Sequence, residues 1–96
     1  MLVNVIEAKY LDGYRIAVTF NDGRSGVADL TDALNGPVFE PLKDEREFRK
    51  FTVDNELDTI VWPNGADVAP EYVFYKAFKN DADLQEQFKD WGYLGR

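Results

Sequence analysis

Two residue types are missing altogether: the 96-residue chain has no cysteine and no histidine. Without thiolate or imidazole ligands, zinc-finger, iron–sulfur and histidine-bound metal sites are excluded. Thiol redox chemistry, cysteine nucleophiles and every Ser-His or Cys-His mechanism go with them. Carboxylates, lysines and tyrosines are left for acid–base work. Positive charge is also scarce, with 11 Lys and Arg against 18 Asp and Glu and a formal net charge of −7. Such a surface repels phosphate backbones and anionic membranes, so direct nucleic-acid binding is not expected, and a basic protein partner is favoured. No run approaches the about 18 consecutive apolar residues of a membrane span. The start, Met1-Leu2-Val3-Asn4-Val5-Ile6-Glu7, lacks the basic and long apolar regions of a signal peptide, so the expected compartment is the cytoplasm. Walker, GxGxxG and GxSxG motifs are absent, and Gly23-Arg24-Ser25-Gly26 opens a strand rather than a helix, so it is no phosphate cradle. No cofactor and no metal are expected, and the balance is against an enzyme.

What is present is globular. Apolar residues make up 45% of the chain, charged residues 30% and aromatic residues 15%, the composition of one domain with one core. Residues 2–10 mix Leu, Val and Ile with polar positions and end at Asp12-Gly13, which suits a hairpin turn. Tyr14, Ile16, Val18 and Phe20 then alternate with Arg15, Ala17 and Thr19, a period of two that predicts a strand with one buried face. Asn21-Asp22-Gly23 predicts a second turn and Arg24–Leu30 a third strand, so the first thirty residues read as an antiparallel meander. Thr31–Asn35 reads as one helical turn stopped by Gly36. Asp44 reads as the cap of a short helix carrying Phe48 and Phe51, with Glu45 placed to pair with Arg49. Lys43, Arg46 and Lys50 would share a face of it. Phe51–Val53 and Thr59–Trp62 flank Asp54-Asn55-Glu56-Leu57-Asp58 as a second hairpin. That loop alternates oxygen ligands but lacks the glycine and closing glutamate of a calcium loop. Pro70 opens a helix to about Lys79. A last helix, capped by Asn80 or Asp81 and ending near Gly92, carries Leu84, Phe88 and Trp91 on one stripe.

The expected fold is therefore α+β: a small antiparallel β-meander and a second β-hairpin packed with short helices, followed by a helical C-terminal extension. Tyr14-Arg15-Ile16-Ala17-Val18-Thr19-Phe20, Val38-Phe39-Glu40-Pro41-Leu42 and above all Trp62-Pro63-Asn64-Gly65-Ala66-Asp67 carry a family likeness. Over about residues 3 to 75 the chain resembles the bacterial family called domain of unknown function 2442. The resemblance implies a compact α+β unit over residues 1–75, to which 76–96 would add a helical extension of the same domain. Longer relatives continue into a helix-turn-helix. Here the remaining residues are too few for one and include Asp81, Asp83, Glu86 and Asp90, the wrong charge for DNA. The family brings no catalytic residues. Its frequent pairing with another small protein implies an antitoxin-like role.

The candidate partner-binding residues are Trp62, Asn64, Asp67, Glu71, Phe88 and Trp91. For the first four, turn and cap chemistry offers a structural reading beside the functional one: Asn64-Gly65 turning the chain, Asp67 bonding backbone N–H groups before the helix, Trp62 in the core. For Phe88 and Trp91 the structural reading is packing on the sheet. The leading expectation is a non-enzymatic interaction module for a small, basic protein, able to form a homo-oligomer through the C-terminal extension. A ligand-binding protein or carboxylate hydrolase with a site near Asp67 is the first alternative. A regulator acting on DNA through a partner is the second.

Overall fold

The computed structural model describes residues 2–93. Strands β1 (Val5–Asp12), β2 (Arg15–Phe20) and β3 (Ser25–Asp29) form one antiparallel sheet in the order β1-β2-β3. The alternation in β2 does what it predicts. Ile16, Val18 and Phe20 are buried on one face, joined by Val5 of β1, Ala28 of β3 and Leu30 beyond it. The other face carries Arg15, Ala17 and Thr19 beside Ser25 and Val27, exposed or half-exposed, as an antiparallel sheet allows. The Asn21–Gly23 turn is a three-residue loop. The Phe20 N–H donates to the Arg24 carbonyl at 2.9 Å, and Gly23 takes the left-handed φ of 88° that closes such a loop.

The middle segment is short turns rather than one helix. Single 3-10 turns cover Thr31–Ala33 and Glu40–Lys43, and helix α1 spans only Glu45–Phe48. Asp44 caps α1 as expected, its side chain accepting the Arg46 N–H. The expected pairing of Glu45 with Arg49 is corrected. Arg49 lies over the Tyr10 ring at 4.8 Å, and the Glu45 carboxylate accepts from the Tyr10 hydroxyl at 3.4 Å. Nor do Lys43, Arg46 and Lys50 form a positive face, because each pairs with an acid nearby in sequence: Glu40, Asp44 and Glu47 respectively. Strands β4 (Thr52–Asp54) and β5 (Thr59–Val61) make the second hairpin. Its loop carboxylate, Asp54, accepts the N–H groups of Glu56 and Leu57 at 2.8 and 3.0 Å, an Asx turn and not a cation ligand set.

Helix α2 (Pro70–Phe78) begins on its proline, where the missing N–H costs nothing. It crosses β3 at Gly26. A Cβ there would stand 2.8 Å from Cε1 of Phe78, so glycine is what lets the helix lie this close. Asp81 caps a 3-10 turn, Ala82–Leu84, that runs on into α3 (Gln85–Asp90). All fourteen aromatic rings fall into two networks. Tyr10, Tyr14, Phe39, Phe48, Phe51 and Trp62 surround α1. Phe74 of α2 touches Phe20, Phe78, Phe88 and Trp91, with ring centres 4.8–6.2 Å apart, and through these tie the sheet to α2 and α3.

Phe88 is 0% exposed while Trp91 is half-buried. Emptying the Phe88 site by Phe88→Ala should therefore lower the unfolding free energy by about 3–5 kcal/mol. Urea melts should show Trp91→Ala costing clearly less.

Candidate protein-interaction surface

The Trp62–Asp67 segment is a miniature hairpin. The Gly65 N–H donates to the Trp62 carbonyl at 3.0 Å, and the Trp62 N–H to the Ala66 carbonyl at 2.9 Å. Val61 then pairs with Asp67. With Gly65 at φ 90°, Pro63-Asn64-Gly65 is the same kind of three-residue loop as Asn21–Gly23. Asn64 fastens it twice. Its Oδ1 accepts the Ala66 N–H at 3.1 Å, and its Nδ2 donates to the Val38 carbonyl at 2.9 Å. The backbone-bonding side chain is thus Asn64 and not Asp67, whose carboxylate is exposed. The Trp62 indole N–H donates to the Phe48 carbonyl at 2.7 Å, stapling this hairpin to α1.

Trp62, 3% exposed, and Phe88 are interior. Burial favours the structural reading of these two, since a ring without exposed surface cannot touch a second protein unless the fold opens. The remaining four divide. Asn64 and Asp67 sit exposed on the hairpin, while Glu71 and Trp91 border a different surface.

That surface grows from the spacing of α2. Val73 and Phe74 point inward and are 0% exposed. Tyr72 and Tyr75, three residues apart and so on one side of the helix, are left half-buried at its flank. Tyr93, just past α3, stacks on Tyr75 with ring centres 5.0 Å apart and 25° between planes, and meets Tyr72 edge-on at 5.8 Å. Trp91 lies 6.2 Å from Tyr93. No hydrogen bond to the three phenol hydroxyls or the Trp91 indole occurs among the described residues, and none of these polar atoms is buried without a partner. Four rings therefore pack side by side with their polar atoms toward water, the amphipathic arrangement that suits Tyr and Trp at interfaces. Tyr93 was not singled out in the sequence; the only signal for it is the excess of aromatic residues after position 71.

Elsewhere the chemistry is sparse. Among the described residues no group of three or more carboxylates stands close enough to hold a metal ion. A surface cavity of about 450 Å³ lies between β3 and the end of α2, and neither Asp67 nor Glu71 lines it. This cavity therefore lends the carboxylate-hydrolase alternative no support. On the cavity wall, Asp29 is held below the ordinary carboxylate range by the Thr31 hydroxyl and amide, which both donate to it.

These features define a class first: a small α+β domain with an aromatic surface on its C-terminal helices. The family follows from comparison. The family described as protein of unknown function (DUF2442) matches residues 5–79, and the chain belongs to it. Curated proteins and solved structures give no match. Among the described residues no helix is long and apolar enough to cross a membrane.

Burial raises the Tyr72 and Tyr93 hydroxyls above the ordinary 10.0, with the charges of Asp32 and Glu71 respectively adding to it. A phenol whose folded pKa is raised favours the fold while neutral. Its contribution is whole below the unfolded value near 10.0 and is lost as the pH climbs through the folded one. Tyrosinate absorbance should show both groups ionising above pH 10.0, with stability falling over the same window. Tyr93→Phe should weaken that fall.

Proposed function

We propose that the chain is a non-enzymatic protein-interaction module. Its docking face is the half-buried row Tyr72, Tyr75, Trp91 and Tyr93, and its partner is a small basic protein. The observation that carries this reading is the row itself: preorganised aromatic rings with solvated polar tips resemble the residues that dominate binding energy at interfaces. The net charge of −7 supports the sign of the partner, because complementary charge steers association. Glu71, half-buried and close enough to Tyr93 to influence its titration, supplies an acid at the rim. An antitoxin-like role, in which this domain masks a harmful basic protein, is the finer form of the proposal.

Purification of the tagged chain from its native cells is the test. A stoichiometric basic protein should co-elute, and its affinity should fall with added salt. Tyr72→Ala with Trp91→Ala should weaken the complex by about thirtyfold or more, the measure of an interface hot spot, while the chain stays folded by circular dichroism. The antitoxin-like form requires that the partner be toxic when expressed alone. Unchanged affinity in the folded double variant sinks the docking face. Elution of the chain as a homo-oligomer held by Trp91 would replace the basic partner with a second copy.

A further inference from the structure

Backbone bonding alternates along β3. The Leu30 N–H donates to the Tyr14 carbonyl, and the Phe20 N–H to the Arg24 carbonyl, each at 2.9 Å. In the register Ile16↔Ala28 and Val18↔Gly26, these bonds make the even-numbered residues the ones joined to β2. Ser25, Val27 and Asp29 consequently turn their N–H and C=O groups away from it. They face the outer edge of the sheet, where no further strand follows among the described residues. Three successive open positions form a template for another strand. Val27 is 40% exposed at its centre.

The cavity of about 450 Å³ opens beside this edge. One wall is Arg15, Val27 and Asp29 on the outer side of the sheet, and the other is the end of α2 with Lys76, Phe78 and Lys79. A strand added to β3 would send alternate side chains to the two walls. The α2 wall offers positive charge. The Lys76 side chain is 9% exposed and its ammonium is 3.8 Å from the Asp32 carboxylate, beyond hydrogen-bond distance. Lys79 has no ion pair among the described residues. The two acids of the cavity are already engaged: Asp29 accepts from the Thr31 amide and hydroxyl, and Asp81 accepts from the Asp83 N–H.

We propose that the β3 edge binds an extended segment of another protein by strand addition, with a carboxylate side chain of that segment set over Lys76 and Lys79. A second copy of this chain is the poorer occupant, since the one acid its β3 would bring, Asp29, is already held by the Thr31 amide and hydroxyl. The inference does not depend on the aromatic row, which it meets only where the Lys76 ammonium lies 5.9 Å from the centre of the Tyr72 ring.

The experiment uses the full chain labelled with ¹⁵N and two blocked peptides, one alternating valine with glutamate and its twin with lysine for glutamate. Amide shifts at 25–29 and 76–81 should move with the glutamate peptide. It should bind about two- to fivefold tighter than the twin, the worth of an exposed charge pair. Lys79→Glu, at an exposed position, should abolish that preference. Val27→Pro should abolish binding without disturbing the β2 ladder, in which the Val27 N–H takes no part; if that variant fails to fold, Lys79→Glu carries the test. The proposal is overturned by absent shifts, by a preference for the lysine peptide, by shifts confined to Tyr72, Tyr75 and Tyr93, or by a free chain already dimeric through a protected Val27 amide.

Discussion

The Phe74 ring is the contact on which the rest of the fold hangs. It meets Phe20 on the sheet, Phe78 one turn along its own helix, and Phe88 and Trp91 from the last helix. The apolar face of a single three-stranded sheet stays in water until another element covers it. Here α2 supplies the cover, Gly26 permits its close approach, and α3 closes over the far side through Phe88. Helix α3, which lies beyond the family match, is thus bound into the core by the same ring that anchors α2. A separate network around Trp62 does the equivalent task for the middle of the chain. There the indole bond to the Phe48 carbonyl satisfies a buried donor and fixes α1 against the second hairpin.

Because the core is so aromatic, its edge is aromatic too. The rings that complete the packing of α2 and α3 cannot all be enclosed in a domain this small, where the surface-to-volume ratio is high. Tyr72, Tyr75, Trp91 and Tyr93 are left half in and half out, with hydroxyl and indole groups in water. The same rings that complete the packing are the ones proposed above as a docking face. The surplus of acid acts at longer range. Several of the acids are spent locally, on Asx turns at Asp22, Asp54 and Asp81 and on the cap at Asp44. The remainder sets the sign of the field a partner meets.

Much of this was readable from the residues. The period of two in Tyr14–Phe20, the glycine turns, the proline start of α2 and the Asp44 and Asp81 caps are local effects, and each occurs where the sequence places it. The candidate surface was less readable. Trp91 and Glu71 could be picked out, but Phe88 beside them lies inside, and the stripe Leu84, Phe88, Trp91 does not say which of its members reaches the surface. Asp67 and Asn64 are equally plausible turn formers by residue type, and only the loop geometry assigns the bonding to Asn64. Arg49 could pair with Glu45 along the helix, yet the helix is one turn long and the guanidinium finds the Tyr10 ring from another strand.

By itself the sequence determined the chemistry this protein lacks, the sign of its charge, its α+β class and the order of its elements. These follow from residue types and short-range spacing, which act within a few positions of the chain. The tertiary structure alone decided which aromatic rings are core and which are surface. It also decided that Tyr93 would stack on Tyr75 eighteen positions away, and that β3 would keep an open edge beside two lysines. Those outcomes depend on how α2 and α3 lie on the sheet, and no local pattern encodes the angle and depth at which two elements pack.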